Sequence, residues 1–334
     1  MDLTSSDHTR AGGMRLEILF VMDPIEVLIV ETETSLLLIG EAGRRGHLCA
    51  VAHLGDLYLA GRAARARARP IAVDDETRPH ADVGPDEDRA LDSFDLVMMR
   101  KDPPVDVDYL NSLMILEPAA EAVPVVNDPV GLRGSNEKLL PLEVPGAAAP
   151  SVVTADPRVV AEFVREHEDV VVKPLNEFSG HGIVRYSTRD SDLDAESVGG
   201  LATHEGRHVV VQRFLPEVVN GDKRVLVIGG EPLGWVNRLP RTGSFRANIH
   251  QGARVEATEL TSRERELIEA FAPILAARGL ELAGFDFIGG YVTEINVTSP
   301  SALRQINQVM GKRLEGKVLD WMEERAARGV RVGA

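Results

Sequence analysis

Short apolar runs that stop on charged or prolyl residues recur through the first third of the chain, and they predict a parallel α/β sheet. Arg15-Leu-Glu-Ile-Leu-Phe-Val-Met22 ends on Asp23-Pro24, as a buried strand does when it hands the chain to a loop at a sheet edge. A helix is predicted next, with Leu36, Leu37 and Ile39 on its apolar face, Thr34 or Ser35 able to cap its start, and Gly46 placed to end it. Leu48 to His53 then completes a strand-helix-strand unit. Phe94 to Met99 and Pro124 to Asn127 repeat the buried-strand pattern. The first of these ends on Arg100-Lys-Asp-Pro-Pro104, and such strand ends are where α/β sheets place ligands. Arg62 to Pro70, alternating Ala with Arg, and the acidic stretch from Asp74 to Arg89 are expected to form a solvated excursion.

From Gly134 onward the signals become antiparallel. Strands are expected at Val152 to Thr154, Asp169 to Pro174, Val209 to Phe214, Arg224 to Ile228 and Gly284 to Asn296, with helices between them. Gly229-Gly230 and Gly289-Gly290 stand between apolar runs and read as hairpin turns. A charged helix over Gly311 to Arg328 is expected on the surface of the last sheet.

With 334 residues, 44% of them hydrophobic, the chain is expected to divide into two or three domains with separate cores. Residues 1–13 are polar and read as a loose tail without the apolar stretch of a secretory signal, and no segment has the unbroken apolar length of a membrane span; a cytoplasmic location is expected. Thirty-seven Lys and Arg against 52 Asp and Glu give a formal charge of −15, the wrong sign for general attraction to nucleic acid or anionic lipid. An anionic ligand must therefore be held by a local group of cations. The single cysteine, Cys49, excludes an intramolecular disulfide and reads as a small buried hydrophobe.

Three clusters carry candidate chemistry. The first is a strand ending in Lys173 followed by a loop containing Gly180 and Gly182. Lysine supplies a point charge to phosphate oxygens, and glycines let backbone N–H groups close over an anion. The spacing matches neither the Walker nor the dinucleotide pattern, so a strand-end lysine beside two turn glycines is the plain alternative. The second cluster places Asp286, Glu294 and Asn296 on two strands joined by Gly289-Gly290. A strict two-residue turn would pair Ile288 with Tyr291 and put the two carboxylates on opposite faces, because side chains alternate with period two. A three-residue turn with a glycine bulge is therefore expected, setting Asp286 across from Glu294 in a carboxylate, carboxylate and amide set suited to magnesium. The alternative is an edge strand whose Glu294 and Asn296 face solvent. The third cluster is cationic: Lys223 and Arg224, Arg238, then Arg246 with Asn248. Arg224 and Arg238 lie at opposite ends of one hairpin and could approach each other. Arginines converging on a magnesium-phosphate site would stabilise phosphoryl transfer, whereas scattered surface arginines would do nothing.

A series of strings in constant order resembles the bacterial glutathione synthetase family over about residues 15 to 320. They are Val21-Met-Asp-Pro-Ile25, Gly55-Asp-Leu-Tyr58, Met99-Arg-Lys-Asp-Pro-Pro104, Asn136-Glu-Lys138, Lys173-Pro-Leu175, Gly221-Asp-Lys-Arg-Val-Leu-Val227 and Thr293-Glu-Ile-Asn-Val-Thr-Ser-Pro300. The resemblance implies an ATP-grasp fold, mixing α/β and α+β: an N-terminal domain over 14–130, a central lid domain over 131–215 and a C-terminal catalytic domain over 216–334. It implies ATP-phosphate contacts from Lys138 and Lys173, with Ser179 and Gly180 in the lid loop, and adenine contacts from Gln212, Arg213, Phe214 and Leu215. Asp286, Glu294 and Asn296 would hold Mg2+, two ions or manganese in their place. Asp222, Arg224, Arg238, Arg246 and Asn248 would surround the phosphates and the acyl group, and Asp23, Arg100, Ser299, Pro300 and Ser301 would meet the substrate. The implied reaction joins γ-glutamylcysteine to glycine through an acyl phosphate, in a homo-oligomer that uses neither nucleic acid nor membrane.

Three stretches depart from the family pattern: Asn176-Glu-Phe-Ser-Gly180 where the family has Asp-Gly-Met-Gly-Gly, Phe245 to Ala253 without the family's glycine pair, and Glu31-Thr-Glu-Thr-Ser35, acidic where lysines are usual. They leave open a ligase of the same fold joining a different carboxylate and amine, such as a glutamate ligase. A catalytically silent nucleotide-binding protein is the reading from another class.

Overall fold

The computed structural model describes residues 15–29, 33–75, 80–175, 182–189, 194–241 and 252–330. The N-terminal sheet is built outward from β1 (Glu17–Val21), whose Ile18 to Val21 are fully buried. α1 (Ser35–Arg45) returns the chain, and β2 (Leu48–Ala52) pairs with β1 in parallel, Glu17 opposite Leu48 and Val21 opposite Ala52. Gly46 ends α1 at φ 88°, a left-handed conformation that glycine adopts without strain. Neither Thr34 nor Ser35 caps the helix by its side chain. Thr34 already has helical backbone angles, and the Ser35 N–H donates instead to Glu33 Oε1 at 2.6 Å.

The expected solvated excursion is a β-ribbon: β3 (Leu57–Ala60), the long β4 (Ala63–Asp75), β5 (His80–Val83) and β6 (Glu87–Ala90). The Ala-Arg alternation is a period-two pattern. It turns Ala64, Ala66 and Ala68 into the core and leaves Arg65, Arg67 and Arg69 on the more accessible face. β7 (Leu96–Met99), α2 (Val107–Ala120), β8 (Val125–Val126) and the short α3 (Pro129–Arg133) complete this half, with sheet order β3-β4-β2-β1-β7-β8 and β5 and β6 also paired to β4.

A second sheet is antiparallel, with β9 (Ser151–Thr154), β10 (Asp169–Pro174), β11 (Val184–Ser187) and β12 (Val209–Arg213) in the order β11-β10-β12-β9. α4 (Pro157–His167) and α5 (Ala195–Ala202) pack on it through a small core of valines and alanines. Residues between α3 and β9 belong elsewhere: Ala147 and Glu137 bond the outer strand of the third sheet.

That third sheet has the order β15-β14-β13-β16-β17, from β13 (Asp222–Ile228), β14 (Glu231–Leu239), β15 (Arg254–Glu256), β16 (Leu282–Ile288) and β17 (Tyr291–Asn296). α6 (Ser262–Ala277) and α7 (Leu303–Met310) accompany it. The helix expected from Gly311 starts at Glu315 as α8 (Glu315–Arg328). It buries Val318, Leu319 and Met322 in a core shared with Ile18, Phe20 and Leu38 of the first half, so its apolar stripe outweighs its charge. Among the described residues no helix is long and apolar enough to cross a membrane.

Candidate active site

The hairpin of β16 and β17 brings the three oxygen ligands together by a route other than the expected one. Gly289 and Gly290, at φ 57° and 80°, make a tight two-residue turn that does pair Ile288 with Tyr291. A β-bulge at Thr293 then restores the register. Phe287 faces Val292, but Asp286 faces Glu294 and Gly284 faces Asn296. The Thr293 hydroxyl pins the bulge by donating to the Asp286 carbonyl at 3.2 Å.

Asp286 is gripped by two arginines from neighbouring strands. Arg224 Nε and Nη2 lie 2.5 and 2.9 Å from its two oxygens, a bidentate pair. Arg238 Nη2 lies 2.9 Å from Asp286 Oδ1 and 2.7 Å from Asp222 Oδ2. The register makes this possible, since Arg224 stands opposite Asp286 across β13 and β16, and Asp222 opposite Arg238 across β13 and β14. All four residues are buried. Burial by itself would raise both carboxyls; at Asp286 the two arginines outweigh it and hold the group well below its usual range. Asp222 has the weaker cationic company and the Asp286 charge beside it, so burial wins and its pKa rises. Its Oδ1 is buried without a partner. Lys223 does not join this group: its ammonium pairs with Glu264 at 2.7 Å.

The second sheet presents Lys173 and Gln212 to the hairpin. Lys173 Nζ donates to Gln212 Oε1 at 2.9 Å and to the Thr293 carbonyl at 3.4 Å, while Gln212 Nε2 donates to Ser151 Oγ at 3.0 Å. Lys138 arrives from the segment after α3, with Nζ 3.4 Å from Glu294 Oε1 and 3.5 Å from the Leu175 carbonyl. Burial pulls the Lys173 ammonium below its ordinary pKa; Lys138 adds to that effect, and Glu294 opposes it. Two lysines from different segments thus meet at one carboxylate edge. Of the expected adenine segment, Phe214 lies under the Arg185 guanidinium at 3.9 Å, Arg213 is 5.8 Å from the Tyr291 ring, and Leu215 is buried. Ser179, Gly180, Arg246 and Asn248 lie outside the described residues, as do Glu31 and Thr32.

The expected substrate residues form an adjoining group. Arg100 is 3% exposed; its Nε donates to Ser35 Oγ at 3.2 Å and its Nη1 to the Pro300 carbonyl at 3.1 Å, while Nη2 has no partner. Asp23 Oδ2 accepts the Asp102 N–H at 3.1 Å, and Lys101 lies 3.1 Å from Asp23 Oδ1. Ser299 hydrogen-bonds Asp102, whose carboxyl is raised by burial and by Glu33. Ser301 contributes its carbonyl to Arg224 Nη1 at 3.3 Å.

Sequence reasoning passed over Glu137, although it lies inside a string singled out for Lys138. Its Oε1 accepts from the Val297 N–H, the Thr298 N–H and the Thr298 hydroxyl at 2.8, 3.0 and 2.8 Å. Burial and the nearby Glu294 raise its pKa. An acid next to a phosphate-type lysine was the available signal.

Hard oxygen donors suit magnesium. Among the described residues no three His, Cys, Asp or Glu side chains are grouped as metal ligands. The donor set still fits an ion that shares its coordination with phosphate oxygens. Asn296 Nδ2 donates to the Gly284 carbonyl at 3.1 Å and to Asp286 Oδ2 at 3.2 Å, which fixes the amide, and Glu294 stands beside it as the carboxylate least engaged by arginine.

The prokaryotic glutathione synthetase N-terminal domain model matches residues 16–133, and the ATP-grasp domain model of that group matches residues 137–311. The chain is 38% identical over 320 residues to a glutathione synthetase of Synechocystis sp., covering 92% of this chain and 99% of that protein. It is 40% identical over 304 residues to one from Parasynechococcus marenigrum, covering 90% and 97%. Among solved structures it resembles D-cycloserine synthetase DcsG, with TM-score 0.62, 17% identity and coverage of 92% and 99%. The ATP-grasp ligase PsnB with a precursor variant, Mg and ADP is similar at TM-score 0.58 and 17% identity, covering 94% and 99%. Two family models spanning nearly the whole described chain, over a lysine, arginine and carboxylate site on the ATP-grasp scaffold, lead to one conclusion: the chain belongs to the prokaryotic glutathione synthetase family, and is an ATP-dependent carbon–nitrogen ligase.

Proposed function

We propose that the enzyme joins γ-glutamylcysteine to glycine with ATP at the junction between the second sheet and the β16–β17 hairpin. The observation that carries this reading is the convergence of Lys138, Lys173, Arg224 and Arg238 on the edge formed by Asp286, Glu294 and Asn296. In an acidic protein, four cations meeting at one place mark where phosphate is handled.

In this reading the two lysines hold the ATP phosphates. The cysteinyl carboxylate attacks the γ-phosphorus, ADP leaves, and an acyl phosphate forms. The glycine amine then attacks the acyl carbon, phosphate departs with the C–O bond electrons, and the amine loses a proton. Arg224 and Arg238, fixed in place by Asp286 and Asp222, stabilise the negative charge on the phosphoryl and acyl oxygens. Glu294, Asn296 and Asp286 would hold two magnesium ions, which neutralise and orient phosphate oxygens when bound. Arg100, with its free Nη2, and Asp23 would meet the charged ends of γ-glutamylcysteine, and Ser299, Pro300 and Ser301 would form the wall between them. Gln212 to Leu215 would border the adenine, with Ser179, Gly180, Arg246 and Asn248 closing over the site. Residues 131–215 would supply the lid and 216–334 the catalytic half. A homo-oligomer and a cytoplasmic location belong to the same proposal.

One observation favours a different donor or acceptor: Glu33 places a carboxylate at the start of α1, beside Arg100 and Asp102, where the family usually carries lysines. The test is ADP release with Mg-ATP, γ-glutamylcysteine and a panel of amino acids, with products identified by mass spectrometry. Glutathione formed only with glycine is the expected result. Turnover that requires another donor or acceptor would overturn the substrate assignment and leave the ligase chemistry standing.

A further inference from the structure

β17 is the outermost strand of its sheet, so the N–H groups on its free side need partners from outside the sheet. Ala147 serves Val292 near the start of the strand, and Glu137 serves the end. Its main-chain carbonyl accepts the Ile295 N–H at 2.9 Å, and Ile295 is the residue between Glu294 and Asn296. Its carboxylate oxygen Oε1 accepts three more donors from the two residues that follow Asn296. The pair of candidate metal ligands is thus pinned in the middle and at its end by one residue.

The same residue reaches both neighbours of the site. Lys138 follows it in the chain and stands at Glu294, and Asn136, which precedes it, donates to the Leu175 carbonyl at 3.2 Å, at the end of β10. Beyond Thr298 the chain passes directly into Pro300 and Ser301, whose carbonyls are held by Arg100 and Arg224. A shift at Thr298 would therefore move the substrate wall and the metal edge together.

We propose that Glu137 is a positioning residue, a clip that fixes the Glu294–Asn296 metal edge and the 298–301 substrate wall in one register with Lys138. The proposal rests on the metal reading given above. Its role needs acceptor oxygens at this place and not a negative charge. Groups that orient metal ligands commonly cost about 10–100-fold in metal affinity or activity when removed.

The test compares Glu137→Ala, Glu137→Gln and Thr298→Val by electron paramagnetic resonance of Mn2+ binding in the presence of ADP, alongside Mg2+-dependent turnover. Glu137→Ala is expected to weaken Mn2+ binding about tenfold or more and to lower kcat, with KM for ATP nearly unchanged. Glu137→Gln retains an acceptor oxygen and is expected to stay within about threefold of the parent protein. Thr298→Val removes one of the three bonds and serves where Glu137→Ala fails to fold; a shift of about two- to threefold is expected. Unchanged Mn2+ binding in Glu137→Ala, or in Thr298→Val where it stands in, would overturn the proposal. A Glu137→Gln variant as impaired as Glu137→Ala would do the same, by assigning the role to charge. Failure to make glutathione with the Mn2+ pattern intact would sink the substrate reading alone.

Discussion

The β9–β12 sheet and the β13–β17 sheet are both antiparallel and both face the candidate site, yet they are held by different means. The first has its own small core among the described residues, in which Val170, Val172, Val209 and Val211 pack with Val160 and Val164 of α4 and Val198 of α5. The second shares its two cores with the N-terminal half: Val225, Phe271 and Phe285 pack with Leu19, Val97 and Leu113, and Leu226 and Ile306 pack with Ile18, Phe20 and Leu38. A sheet with a separate core can move without exposing apolar surface elsewhere, whereas a sheet sharing its core is tied to its neighbour. The difference extends to the polar groups. The β13–β17 sheet encloses a buried network of two arginines and two aspartates, while the β9–β12 sheet contributes one lysine and one glutamine from its two central strands. One sheet thus carries the buried charge network on a shared core, and the other presents its polar groups from a core of its own.

Asp286→Ala should separate the two most sharply. It leaves Arg224 and Arg238 buried without a carboxylate between them, and breaking a buried pair in this way costs about 3–5 kcal/mol. Activity and the unfolding midpoint should fall together, the midpoint read by chemical denaturation; a variant of parent stability would show that water already screens the network. Lys173→Met should lose activity alone. Removal of one preorganised donor costs about 10²–10³ in kcat, and because Lys173 stands near the end of β10, outside the apolar core of its sheet, the melting temperature should barely move. A large drop in melting temperature would mean that this strand end supports the fold as well. Val211→Ala acts in the separate core, where deleting two buried methyl groups costs about 2 kcal/mol. Hydrogen exchange should quicken across β9–β12 and stay unchanged in β13–β17. Equal acceleration in both sheets would show that they open as a single unit.

Much of this was legible in the chain before folding. β10 runs over Asp169–Pro174 as its valine run and terminal Lys173-Pro174 predicted, because a short, β-branched, proline-terminated segment has few other stable forms. The convergence of Asp286 with Glu294 was also foreseen, through a turn that the protein does not use. Periodicity requires one extra residue between them but does not say where it goes, and it sits at Thr293, where the hydroxyl can reach the Asp286 carbonyl. The Ala-Arg stretch was expected to be solvated because every second residue from Arg65 to Arg69 is an arginine, while its buried face is made of the alanines between them.

The sequence by itself determined the local elements, the oxygen and cation types of the site, and the family, since these follow from residue identity and spacing. Only the tertiary structure decided which arginines grip Asp286, that Lys138 reaches Glu294 while Lys173 reaches the neighbouring Thr293 carbonyl, that two of the sheets share cores with one another, and that Glu137 closes the end of the free edge of β17. Those relations join residues far apart in the chain, Glu137 and Thr298 by 161 positions, and they depend on strand register and on which buried donors are left without partners. No local pattern carries that information, because the partner of a buried group is chosen by what the whole fold brings within about 3 Å of it.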